Sequence, residues 1–220
     1  MNLRNLLIAL LLLGIVGWWF SPHSPRVPSP PRHVAAALAG TGSQPECPMP
    51  PLVARGEPPL QSEVPASLGP FRLEGANLQP LAGFSIDARV LSREDYSFGR
   101  EADYSPTDLA LGWGRMTDDA VLGKLDISQS SRWYHYRWKG DPPIPPAEII
   151  DSSANMHMIP ADATVASALH EVATGQRLRI DGWLVQVDAS DGWHWRSSLT
   201  REDTGDGACE VVYVCAISPE

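Results

Sequence analysis

Cysteine is scarce, basic charge is thin and metal-ligand spacings are missing, and each shortage removes a class of protein. Three cysteines, Cys47, Cys209 and Cys215, are too few for a disulfide framework. Cys209 and Cys215 lie in one extended stretch, roughly 20 Å apart at the rise of a strand, too far to bond each other. Only a bend, or Cys47 reaching back, pairs one of them, and the apolar context favours buried thiols. Lys and Arg total 17 against 26 Asp and Glu, giving a net charge of -9 and a pI near 5.1. With no basic run to offset that balance, no nucleic-acid partner is expected.

His157, His170 and His194 show no His-x-x-x-His pattern, and no Cys-x-x-Cys occurs. No metal and no other cofactor is therefore expected. Asp203-Thr204-Gly205-Asp206-Gly207 has the look of a calcium loop, but Gly205 stands where a ligand is needed and no Glu closes it. There is no Gly-x-Ser-x-Gly elbow and no papain-like cysteine context.

Long apolar runs are also rare, and the one present stands out. Residues 6–20 carry no charge and follow a short basic start at Arg4. Fifteen helical residues span about 22 Å, and Leu3, a snorkelling Arg4 and the pair Trp18-Trp19 extend the segment toward a bilayer of about 30 Å. Trp18-Trp19-Phe20-Ser21-Pro22 is a poor cleavage site. Residues 1–21 therefore read as an uncleaved transmembrane anchor, with the lipid bilayer as partner through residues 6–20. A short basic start stays in the cytoplasm, which places the rest outside. The expected location is a bacterial inner membrane, single-pass, with the C-terminal domain in the periplasm.

Residues 22–70 hold 13 of the 21 prolines and almost no apolar periodicity. Such composition predicts a disordered, partly polyproline linker. From residue 71 the pattern turns to strands, and residues 71–220 read as a β-rich globular domain. Phe84, Ile86, Ala88 and Val90 alternate with polar residues, and Leu109, Leu111 and Trp113 repeat that spacing. Tyr134, Tyr136 and Trp138 fall on one face of another strand, with Trp133, His135 and Arg137 on the other.

Residues 160–174 form the one clear amphipathic helix, with Val165, Ala168, Leu169, Val172 and Ala173 as its stripe. Pro160 suits its first turn, Asp162 its dipole and Gly175 its stop. Over residues 178–187 the apolar face changes sides at Gly182, as a coiled or bulged strand requires. Asp191-Gly192 signals a hairpin, and residues 210–217 read as a buried strand. Three strands, a helix and further strands is the order of an OB-like, partly open barrel, mainly β with α+β character. An α+β sandwich with a helix over one sheet face is the alternative.

The candidate chemistry gathers in the last third. His157, read as lying in a loop before the helix, is a candidate general base flanked by Met156 and Met158, with Asn155 beside it. Ser198 is a candidate nucleophile, and Arg201 and Asp203 complete a catalytic set only where the fold assembles them. Trp133, Trp193 and Trp195 are candidates for stacking against sugars, with Asn155 as a polar contact. Cys209, beside Glu210 in an apolar run, reads as core.

Taken together, Asn155-Met156-His157-Met158-Ile159-Pro160 and Ser197-Ser198-Leu199-Thr200-Arg201-Glu202-Asp203-Thr204-Gly205-Asp206-Gly207-Ala208-Cys209-Glu210 resemble a family of small bacterial proteins anchored at the amino terminus, without an assigned activity. The resemblance covers residues 80–217 and implies bacterial origin and a membrane anchor. It implies no reaction. The expected function is a membrane-anchored envelope protein whose exported domain binds a ligand, a glycan or a protein partner. The alternative is a periplasmic hydrolase using His157 with Arg201 and Asp203.

Overall fold

The computed structural model describes residues 3–19, 30–42, 45–200 and 209–219. Helix α1 (Leu3–Trp19) buries none of its residues. Its 17 residues make about 25 Å of helix, and no helix among the described residues is long and apolar enough to cross a membrane. The expected transmembrane anchor over 1–21 therefore lacks that support. Helix α2 (Arg32–Leu38) follows, with His33 and Val34 buried against the domain.

Strands β1 (Leu60–Ser62) and β2 (Phe71–Leu73) both pair with β3 (Ala76–Asp95), the longest element of the domain. Then come β4 (Thr107–Gly112), the short helix α3 (Asp119–Leu122) and a separate hairpin of β5 (Leu125–Ser130) with β6 (Trp133–Trp138). Helix α4 (Pro146–Asp151) leads into β7 (Ser153–Pro160), α5 (Ala163–Glu171), β8 (Arg177–Ala189), β9 (His194–Arg196) and β10 (Glu210–Pro219).

The large sheet is mixed and closes on itself. β3 pairs with β4, β4 with β7, β7 with β10, β10 with β8, and β8 returns to β3. Only β7 and β10 run parallel, and α5 supplies most of the crossover after β7. This ring of five strands is consistent with the OB-like order; the flat sandwich is not what the pairing gives. β3 can serve two neighbours because its register shifts at Pro80/Ala82 against β8 and at Val90/Ser92 against β4. Bulges of that kind bend and coil a strand. Gly182 serves the same end, since a Cβ there would strike the carbonyl of Tyr213 on β10.

Alternation decides what fills the ring. Ile86, Ala88, Leu109, Leu111, Met156, Met158, Ile180 and Leu184 point inward and are fully or almost fully enclosed. Truncating Leu109 to Ala would cost about 2–5 kcal/mol. Helix α5 closes the core with Val165 and Leu169, and Val172 joins them just past its end. The expected helix is present, with Asp162 as its cap accepting from the Val165 amide at 2.8 Å. Pro160 instead ends β7, so the helix begins later than expected. Arg93 Nη1 donates to the carbonyls of Leu169 and Val172 at 2.6 and 2.9 Å, finishing the other end.

Two expectations change here. Residues 45–62, assigned to the linker, lie against the barrel. Trp183 Nε1 donates to the Pro48 carbonyl at 2.8 Å, Val53 N to Ser85 Oγ at 2.8 Å, and Gly56 N to Asp87 Oδ2 at 3.0 Å. Counting prolines missed this, because an extended proline-rich chain keeps its carbonyls and some amides for side chains of another element. The cysteines differ as well: Cys47 and Cys215 form a disulfide, so they are not buried thiols. Cys209 takes no part in it.

Candidate binding cleft

The same alternation that fills the ring decorates its outside. On β4 and β7 Asp108 stands opposite His157, and Ala110 opposite Asn155. Met156 and Met158 point into the core while Asn155 and His157 point out. His157 is therefore a strand residue rather than a loop residue, and its flanking methionines lie on the other side of the sheet. The period-two order Asn155, Met156, His157, Met158 carried that signal.

Asp108 is fully buried and gathers three partners. Its Oδ1 lies 2.6 Å from Arg132 Nη1 and 2.9 Å from His157 Nδ1, and its Oδ2 accepts from Asn155 Nδ2 at 3.3 Å. The His157 contact is a close approach without an aligned hydrogen bond. Asn155 Nδ2 also donates to the Arg132 carbonyl at 3.0 Å, and Gln129 Nε2 donates to Asn155 Oδ1 at 2.6 Å. Tyr96 completes the group: its hydroxyl accepts from the Arg132 amide at 2.9 Å, and the guanidinium carbon lies 3.8 Å from its ring centroid. Burial, and then the Asp108 carboxylate, hold the Tyr96 phenol above its ordinary value, so it stays neutral.

Above this polar floor lies a cleft of about 480 Å³, walled by Glu101, Arg132, Trp133, His157, His194, Trp195, Arg196 and Cys209. The walls come from the β3–β4 connection, the turn of the β5–β6 hairpin, β7, β9 and the start of β10. The Trp195 ring lies 4.7 Å from the imidazole of His157. The cleft falls within the size range of small-molecule sites and combines aromatic walls with a few convergent polar groups.

Of the expected site residues, His157, Trp133 and Trp195 meet in the cleft, and Asn155 lies beneath it. Trp193 stands behind Trp195, with ring centroids 6.1 Å apart, and stacks on Tyr104. Ser198 is buried, donates from Oγ to the Thr200 carbonyl at 3.0 Å, and is not among the cleft walls. Arg201 and Asp203 lie outside the described residues. Among the described residues no group of His, Cys, Asp and Glu could hold a metal ion.

Sequence reasoning missed Asp108, Arg132, Tyr96 and Glu101, and read Cys209 as core. Asp108 had a visible signal, a carboxylate alternating with Leu109 and Leu111 in an apolar strand. Arg132 had none, because its place depends on how a hairpin folds over the sheet. No family model, no curated protein and no solved structure matches the chain significantly. Any functional reading thus stands on the geometry.

Proposed function

We propose that this is an exported bacterial envelope protein whose β-rich domain binds a ligand in the cleft over Asp108, Arg132 and His157. The observation that carries the reading is convergence: five separate segments send aromatic and polar side chains to one patch of the barrel's outer surface. The OB-like reading adds to it. In OB folds ligands meet the face of the second and third strands and the loops joining strands one to two and four to five. Counting the five ring strands in chain order, those are β4, β7, the β3–β4 connection and the segment that carries β9 between β8 and β10.

The Cys47–Cys215 disulfide supports a compartment outside the cytoplasm, since such bonds persist in oxidising surroundings. Beyond Arg4 and Asn5 in its first turn, helix α1 is apolar on every side and exposed, which supports a lipid bilayer as its partner and an inner-membrane location with the domain in the periplasm. A glycan or an envelope protein fits the aromatic walls; the net charge of -9 argues against nucleic acid.

The test uses the full chain in detergent micelles, immobilised and exposed to soluble envelope extract. Wild type is expected to retain a component that Trp195→Ala and His157→Gln lose while keeping native circular dichroism. Equal retention by all three proteins would place binding elsewhere.

A second reading, a hydrolase, is favoured by the 2.9 Å approach of His157 to Asp108, the spacing of a base and its orienting carboxylate. Covalent probes for hydroxyl and thiol nucleophiles would decide it. A modified cleft residue whose labelling collapses in His157→Gln supports hydrolysis. Labelling indifferent to that change, or absent, removes it.

A further inference from the structure

We infer that Arg132 is the residue that grips the ligand, and that it grips an oxyanion, a carboxylate or phosphate, carried on a sugar ring. This rests on the cleft being the binding site and adds the chemistry of what enters it.

The backbone speaks first. Ser131 and Arg132 form the two-residue turn of the β5–β6 hairpin, between the paired Ser130 and Trp133. Their φ angles are 52° and 71°, and they are the only non-glycine residues among those described with positive φ. A two-residue turn of this hand favours Asn-Gly, and a side chain bearing a Cβ costs about 1–2 kcal/mol there. Strain of this sort persists where surroundings over-determine it, and it concentrates at ligand clamps. Arg132 is over-determined. Its amide donates to the Tyr96 hydroxyl, its carbonyl accepts from Asn155, its Nη1 meets Asp108, and its guanidinium lies on the Tyr96 ring.

The guanidinium is nonetheless incompletely used. Nη1 is taken by Asp108, while Nη2 is enclosed and has no hydrogen-bond partner among the described residues. A buried charged donor left without an acceptor is costly. Arg89 Nε and Arg179 Nε are enclosed without a partner among the described residues too, but of the three arginines only Arg132 walls the cleft, where an entering oxyanion would satisfy it. The Asp108 carboxylate beneath is compensated by Arg132 and accepts from Asn155, so what Nη2 offers an entering anion is a hydrogen bond and not an excess charge. Among the described residues of the cleft walls Glu101 is the one carboxylate, against Arg132 and Arg196. In a chain of net charge -9 that local balance is unusual. The remaining walls, Trp133 and Trp195, are flat amphipathic surfaces of the kind on which sugar rings lie.

The experiment titrates the full chain in micelles with glucuronate, glucose 6-phosphate, glucose and inorganic phosphate, reading tryptophan emission. Glucuronate or glucose 6-phosphate is expected to give a saturable change, roughly tenfold stronger than glucose or phosphate alone. Arg132→Gln should weaken the acidic sugar by roughly tenfold and erase its advantage over glucose. Arg132→Lys should restore part of the affinity, since it keeps the charge against Asp108 but not the fork. The Lys variant also decides the matter where the Gln variant fails to fold. Glucose binding as tightly as the acids, or an acid preference surviving both variants, overturns the inference while leaving the cleft in place. No saturable change with any probe also overturns it, and the extract experiment then judges the cleft alone.

Discussion

The outside of the barrel has two faces made by the same alternation of side chains, and they are finished differently. Over β3 and β8 the chain covers its own surface: residues 45–62 lie there, stapled at one end by Cys47–Cys215 and at the other by β1. Gly83 allows the approach, since a Cβ would strike Ser62 and Pro50. Several polar groups under that strap are answered from within, although Ser62 Oγ at its end and Arg179 Nε on β8 are enclosed without a partner among the described residues. Asp181 accepts from Ser85 at 2.5 Å, and Ser85 in turn accepts from Val53 N. Over β4, β7 and β10 no such strap lies among the described residues, and the polar groups answer one another only in part, with Arg132 Nη2 left over. Buried carboxylates on the two faces look alike in sequence. What separates the two faces is whether the incompletely bonded groups lie under the chain's own strap or wall an open cleft.

The strongest test of that contrast removes the staple. Cys47→Ser, or reduction of the wild type, should cost about 2–5 kcal/mol, read as a lower thermal midpoint. It should also speed proteolysis within residues 45–62 while leaving binding at the cleft unchanged. If ligand binding falls with it, the two faces are coupled and the division fails.

Next in size is Asp108→Ala. It strands a guanidinium that is 17% exposed, so the loss should approach but not exceed the about 3–5 kcal/mol of fully buried broken pairs. On the covered face Asp181→Asn should do far less. Burial already pushes the Asp181 carboxyl above its ordinary value, and an amide there can still accept from Ser85. Chemical denaturation of both variants measures the difference, and equal losses would count against it.

What was legible in the sequence tracks how local each feature is. The helix announced itself through Asp162 and the Val165–Leu169–Val172 stripe. Gly182 marked a close approach of β10 but not the expected change of side, since Leu178, Ile180 and Leu184 keep one face of β8 and Trp183, Val185 and Val187 the other. The inward rows of β3 and β4 followed from alternation alone. Closure of the ring did not, because β8 returning to β3 is a pairing across about a hundred residues. The strap was hidden by its prolines, and its disulfide by a separation of 168 residues. The cleft was half legible: His157, Asn155, Trp133 and Trp195 drew notice by type, but their anchor Asp108 and the turn that delivers Arg132 did not. Ser131-Arg132 lacks the Asn-Gly signature by which such turns are found.

A smaller effect belongs to α2, which docks outside the strap. His33 Nε2 donates to the Pro160 carbonyl at 2.7 Å, while its Nδ1 is buried without a partner. Burial lowers its pKa from the ordinary 6.5, against a smaller opposing pull from that hydrogen bond. Below 6.5 the unfolded chain therefore takes up a proton that the folded chain resists. Stability should fall as pH drops through that value, by at most about 1.4 kcal/mol per unit. His33→Gln should flatten the slope between pH 7.5 and 5.5 in urea titrations. An unchanged slope would assign the acid sensitivity to another group.

The finest comparison sets two neighbours with the same strain against each other. Ser131 is exposed, whereas Arg132 is held by Tyr96, Asn155 and Asp108. Ser131→Gly should relieve a left-handed backbone at the expense of a looser unfolded chain, for a net gain of a few tenths to about 1 kcal/mol. Arg132→Gly offers the same relief but takes the guanidinium from Asp108, and should lose stability overall. Thermal midpoints of the two variants and their double mutant give the answer. A gain in both would mean that the contacts on Arg132 contribute less than its strain costs, and the open face would then have no more claim to function than the covered one.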